Sequence, residues 1–297
     1  MSNMFKLELK RAICSKTFFF GTALLTIFAV CSALYMIESQ GGYNPNYLYE
    51  HCMENGKYIY NPDFPLVSVY TSWVGADRVS LAYSLFYNLL PIGAAIPFAW
   101  SYHSEKKCGY LKNIATRINK KYYYISKTIA VFTSGTLAVL IPIVINILMV
   151  SAFIPHYQPW AGYNFYNLIY FGTMWSDLFF SHPFIHMILY ALLAAFYGGI
   201  FALLSYSVSF YIDNFIAVIF TPFLLMLIGG YIQNIVHNNY TQATGAVSTV
   251  DFIPTLFIHS RSINGNVMSW AVILVTVLLL AFILITIYFK GKKSEIY

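Results

Sequence analysis

Met268-Ser-Trp-Ala-Val-Ile-Leu-Val-Thr-Val-Leu-Leu-Leu-Ala-Phe-Ile-Leu-Ile-Thr-Ile-Tyr-Phe289 runs for 22 residues without a charge. A helix rises about 1.5 Å per residue, so about 20 apolar residues cover the hydrocarbon layer of a bilayer. Five stretches of the same kind precede it: Phe18–Ile37, Ala82–Tyr102, Thr128–Ile154, Phe184–Phe210 and Phe215–Ile235. None of the six carries Asp, Glu, Lys or Arg in its interior. The sequence therefore predicts an all-α polytopic membrane protein with six transmembrane helices. It also lacks the intramembrane charges that equip an ion-coupled carrier.

Composition agrees. Hydrophobic residues make up 59% of the 297-residue chain and charged residues 9%, with a mean hydropathy of +0.62. A soluble domain would carry about a quarter charged residues. Residues 1–297 are read as one transmembrane domain. The longest polar stretch, 38–80, is an external loop rich in Tyr, Asn and Pro and too short to bury a core of its own.

Basic residues set the orientation. Lys6, Lys10, Arg11 and Lys16 precede the first span. Lys106, Lys107, Lys112, Arg117, Lys120, Lys121 and Lys127 lie between the second and third, and Lys290, Lys292 and Lys293 follow the last. The opposite side holds only Lys57, Arg78 and Arg261. The positive-inside rule puts both termini and the second loop in the cytoplasm. The net charge of +6 follows from this asymmetry and does not point to nucleic acid. Of four cysteines, Cys14 and Cys108 fall inside, Cys31 within a span and Cys52 outside, which excludes a disulfide framework. The first span is too long for a cleavable signal peptide and lacks a small-residue cleavage site. Asn239-Tyr240-Thr241 is a glycosylation sequon, meaningful only in a eukaryotic secretory route.

Two cytoplasmic segments carry pattern. In Met4–Ser15, Phe5, Leu9, Ala12 and Ile13 share a face at helical spacing while Lys6, Lys10 and Arg11 lie elsewhere. Such a helix lies along the bilayer surface with its bases at the headgroups, either as a flank of the first span or as a docking element. In the loop 103–127, Glu105, Gly109, Leu111, Ile114 and Ile118 suggest a short helix broken near Gly109. A partner-binding segment and a solvated basic loop both fit that composition.

This loop resembles the segment after the second helix of type-2 ABC (ABC-2) permeases. That family shows an acidic residue, Gly-Thr-Leu beginning four residues on, a short helix, a Pro/Ser/Arg-like turn and a lysine opening the third helix. Glu105, Gly109 and Leu111 match the first positions, Lys120 or Lys121 the basic turn, and Lys127 the opening lysine. Tyr110 stands in place of the Thr and Arg117 in place of the Pro. Phe5-Lys-Leu-Glu-Leu-Lys10-Arg11, followed by Ser15-Lys-Thr-Phe18, is similar to the family's interfacial connecting helix.

The resemblance implies that residues 1–17 form the connecting helix and 103–127 the coupling loop. Phe5, Lys10, Arg11, Glu105, Gly109, Leu111, Lys112, Arg117, Lys121 and Lys127 would then meet a separate ATPase subunit. ATP and Mg would sit on that partner, and this chain would hold no cofactor. Six spans are half the number such exporters use, implying a second permease subunit, identical or not. Gly291-Lys292-Lys293-Ser294 shares only letters with a phosphate loop, since no upstream glycine, strand or following helix accompanies it.

Within the spans, Asn88 and Asn146 need partners in lipid, either as helix–helix glue or as the lining of a path. Pro91, Pro97 and Pro142 free backbone carbonyls. Gly198-Gly199 permits close helix approach, here assigned to a subunit contact. The 26 Tyr and 25 Phe form interfacial belts, and the external tyrosines could add a lid over an exit path. Val250–His259, inside the external region 236–267, is apolar but too short to cross and is read as a re-entrant or interfacial helix; ABC-2 permeases similarly place short external helices before the last span.

A rival chemistry rests on Asp177, His182 and His186 at the outer start of the fourth span, where two histidines four apart could grip a metal for a membrane hydrolase. The ligand set is incomplete and no glutamate base sits beside it. The sequence thus predicts no enzyme but a permease subunit of an ATP-driven exporter, multi-pass in a bacterial plasma membrane. Its uncharged aromatic interior favours an amphipathic or apolar cargo: a peptide, drug or lipid-like molecule.

Overall fold

The structure, a computed structural model, describes residues 2–39, 53–54, 57–58, 68–110, 120–159, 169, 173–244, 250–260 and 267–293. Ser2–Ile13 forms α1, whose stripe of Met4, Glu8 and Ala12 is buried at a spacing of four. The chain turns at Cys14 and Ser15. Ser15 Oγ accepts from the Phe18 amide at 3.1 Å and so caps α2, Lys16–Ser39. After α2, Met53–Glu54 (β1) and Lys57–Tyr58 (β2) pair antiparallel. Val69–Ser72 forms the short α3.

The second expected span is not one helix. It is α4, Leu81–Ala95, followed by turns over 96–100 and then α5, Ser101–Lys107. Its 15 residues reach only about 22 Å. Pro97 explains the break: without an N–H it cannot bond back to the Gly93 carbonyl. Both loose ends meet α2. The Pro97 carbonyl accepts from Thr17 Oγ1 at 2.8 Å, and a Cβ on Gly21 would lie 2.9 Å from the Gly93 carbonyl oxygen. Five helices, rather than six, are long and apolar enough to cross a membrane among the described residues: α2, α6 (Lys120–Phe153), α8 (Pro183–Val208), α9 (Phe215–Thr244) and α11 (Ser269–Lys293).

The remaining elements are α7, Ser176–Ser181, and α10, Pro254–Phe257. Pro183 opens α8, a position where its missing N–H costs nothing. Helix α8 is the most buried span and packs on α6, α4, α9 and α11. A Cβ on Gly135 of α6 would come within 2.8 Å of the Gly198 carbonyl oxygen, and one on Gly198 within 3.0 Å of that of Gly135. The small residues of α8 thus serve a helix crossing inside this chain, not the subunit contact expected for them. Helices α9 and α11 bury little of their surface.

The end of the bundle opposite the basic loops, the outer end of the expected topology, is closed by bonds between loops and spans. Asn146 of α6 accepts from the Val74 amide at 2.8 Å and donates to the Ala29 carbonyl of α2 at 2.7 Å. Asp77 accepts from Ser32 Oγ of α2 at 2.7 Å, from the Val79 and Ser80 amides at 2.9 and 3.1 Å, and from Ser80 Oγ. The segment expected to be re-entrant or interfacial contains only the four-residue α10. Phe257 packs its ring on Tyr197 of α8, so the segment folds back onto the bundle.

Candidate functional site

Four charged side chains meet at the end of the bundle that carries the basic loops. Lys127, fully buried near the start of α6, donates from Nζ to Glu105 Oε1 at 2.7 Å and Glu8 Oε2 at 3.1 Å. Arg11 of α1 pairs with the same two carboxylates, at 2.9 Å to Glu105 and 3.2 Å to Glu8. Tyr123 donates its hydroxyl to the second oxygen of Glu105. The Phe98 ring lies 4.2 Å from Lys127 Nζ, within cation–π range. Two positive and two negative charges alternate, so the group is neutral as a whole.

Three elements supply it, and their local structure explains the geometry. Glu8 projects from the buried stripe of α1, between Met4 and Ala12. Glu105 is buried on the last turns of α5, which exists as a separate helix because Pro97 ended α4. Lys127 lies inside α6 because that helix begins at Lys120, two turns before the apolar run it was expected to start with. Removing one partner of a buried ion pair typically costs about 3–5 kcal/mol, because the other charge is left uncompensated. Burial opposes the Arg11 charge, but Glu105 and Glu8 more than offset it and raise its pKa above the ordinary value. Arg11 also stacks over the Tyr110 ring at 5.0 Å, just past the turn where Gly109 adopts a left-handed φ of 69°. Gly109 has nothing within 4 Å of a Cβ position, so the backbone angle alone favours glycine there.

The structure brings Arg11, Glu105 and Lys127 together out of the residues singled out by sequence. Glu105 and Lys127 face inward and are taken up by the chain's own charges, whereas Lys10 and Lys121 are exposed and Phe5 is half-buried. Leu111, Lys112 and Arg117 lie outside the described residues. Glu8 was not anticipated. The signal for it is an acid in the centre of an apolar stripe, with Met4 and Ala12 four residues to either side.

The span amides behave differently from each other. Asn88 is exposed on α4 and donates to Ser84 of its own helix at 2.9 Å, not to another helix or a cavity. Asn146 is fully buried and bonds between elements, as helix glue does. The proposed metal ligands diverge: Asp177 and His182 are exposed, while His186 is buried between the rings of Phe179 and Tyr190, at centroid distances of 5.1 and 4.8 Å. Among the described residues no three metal-ligating side chains converge.

Comparison of the chain with protein-family models, with characterised proteins and with solved structures finds no match.

Proposed function

We propose that this chain is the membrane-spanning permease subunit of an ATP-driven exporter of the type-2 ABC kind, moving an amphipathic or apolar cargo. A separate ATPase subunit supplies the work, and a second permease subunit completes the path. The observation that carries this reading is the buried charge group joining α1, α5 and α6. A subunit driven from outside needs a stiff connection between its contact surface and its spans. Here a push on the amphipathic α1 or on the loop after α5 passes directly to α6, a helix about 51 Å long. The residues that resemble the family's coupling motif supply half of this connection, Glu105 and Lys127.

The reading has consequences for where a partner would bind. Glu105 is a positioning residue rather than a contact, because its oxygens are already taken by Lys127, Arg11 and Tyr123. Among the described residues, the exposed bases Lys6, Lys10 and Lys107 are open to an acidic partner surface, while Lys106 lies 4.0 Å from Asp213 of its own chain. Helices α9 and α11, largely uncovered, are the surface available to lipid and to the second permease.

The test is reconstitution. With its ATPase in lipid vesicles, the chain should raise ATP hydrolysis and move an amphipathic dye. Reversing charge at Lys10 and Lys107 to Glu should weaken ATPase association about tenfold or more without unfolding the permease. Uphill solute movement or bond cleavage by the chain alone would overturn the reading.

A further inference from the structure

The segment 250–260 packs across the outer end of the bundle and is fastened at three points. Gln233 of α9 donates to Asp251 Oδ1 at 2.6 Å and accepts from the Phe252 amide at 3.1 Å. Ser260 gives both its amide and its hydroxyl to the Gly75 carbonyl, at 3.0 and 2.9 Å. Between these, His259 is inserted against α4. Its ring centroid lies 3.9 Å from that of Tyr87 and 5.3 Å from that of Tyr83. Its Nδ1 shares a hydrogen bond with Tyr83 Oη at 3.4 Å, and the ring also bonds the Thr255 carbonyl.

A neutral imidazole satisfies these contacts, donating to the Thr255 carbonyl and accepting from Tyr83; of the two bonds, the one to Thr255 favours the protonated ring and is outweighed by burial. The hydroxyls of Tyr83 and Tyr87 carry no charge to balance a proton. Arg78, from the segment before α4, opposes a second positive charge. Asp77 acts on Tyr87 rather than on the imidazole, and its carboxylate accepts from Ser32, Val79 and Ser80. With only 4% of its surface exposed, His259 cannot take up a proton and keep water around it.

We propose that His259 is an acid-released latch: protonation on the face opposite the basic loops frees residues 250–260 from α4 and opens the outer end of the bundle. The inference stands apart from any assignment of transport, since it concerns this segment's own equilibrium.

Burial, opposed by the Thr255 hydrogen bond and aided by the field of Arg78, lowers the His259 pKa to about 3. A depressed folded value means that the closed form is fully favoured above the ordinary histidine pKa and loses that advantage as pH falls toward the folded one. Between pH 7.5 and 5.0 the open fraction should therefore rise by up to about 30-fold, the ratio set by a released histidine titrating near 6.5.

The experiment is hydrogen exchange on the full chain in lipid nanodiscs, which expose both faces, with rates corrected for intrinsic pH dependence. The Ser260 and Ile258 amides should lose up to about 30-fold of their protection at pH 5.0. The response should vanish in His259→Phe, which keeps the ring, and in His259→Asn, which keeps a polar group if the first variant does not fold. It should persist in Asp251→Asn. Unchanged protection in the wild-type chain overturns the latch. So does a response that survives in a folded His259 variant or disappears in Asp251→Asn.

Discussion

At the basic end four full charges, Lys127 among them, are packed together, while at the opposite end Asp77 is buried among hydroxyls and amides and His259 among tyrosines. Both ends bury polar groups where apolar side chains would have been simpler. The basic end balances them with opposite charge, which couples all members: each carboxylate serves two cations, and each cation two carboxylates. The outer end balances them with separate neutral donors, each of which can fail alone. One end should therefore break as a unit and the other piece by piece.

The largest effect is expected from Lys127→Met, which leaves Glu8 and Glu105 with Arg11 as the remaining cation of the group. Unfolding in detergent should show a loss of about 3–5 kcal/mol, and adding Glu8→Gln should restore part of it. Additive losses in that pair would dissolve the idea of a coupled group. Next comes Asn146→Leu, which strips the Val74 amide of its acceptor. A loss of about 1–3 kcal/mol is expected, with hydrogen exchange rising at Val74 while Ile258 and Ser260 stay protected. Exchange rising across the whole outer end would make that end as cooperative as the other. A smaller loss, about 1 kcal/mol in the same assay, is expected from Ser32→Ala, since Asp77 keeps its bonds to Val79 and Ser80. The least effect on folding belongs to Lys10→Glu, within about 0.5 kcal/mol of the wild type, because the side chain is exposed. Under the proposed function, its effect should appear instead in association with the ATPase subunit.

The same contrast sorts what the sequence could tell. Long apolar runs announced α2, α6, α8, α9 and α11, because a bilayer demands length and lack of charge together. The amphipathic α1 and the break at Gly109 were legible for similar local reasons. The second span misled because hydropathy continues through Pro97 while the hydrogen-bond ladder does not. Charges absent from the apolar runs were present at their edge: Lys127 falls one residue before the expected start of a span, and Glu8 119 residues away in sequence supplies its partner. No local pattern reports a pairing of that range. His259 and Asp77 were hidden for the same reason, as each takes its meaning from a segment it meets only after folding. Histidines with motif-like spacing, His182 and His186, drew the chemistry instead, yet one is exposed and the other enclosed by rings.

Helix α9 runs 30 residues, about 45 Å, and continues well past its apolar portion to Thr244. A rod of that length in a layer about 30 Å deep must lean or stand clear of the surface. The protein should consequently be sensitive to the thickness of its host membrane. Bilayers of short acyl chains would force α9 to tilt and drag the Gln233–Asp251 clasp with it, whereas longer chains would let the rod stand upright.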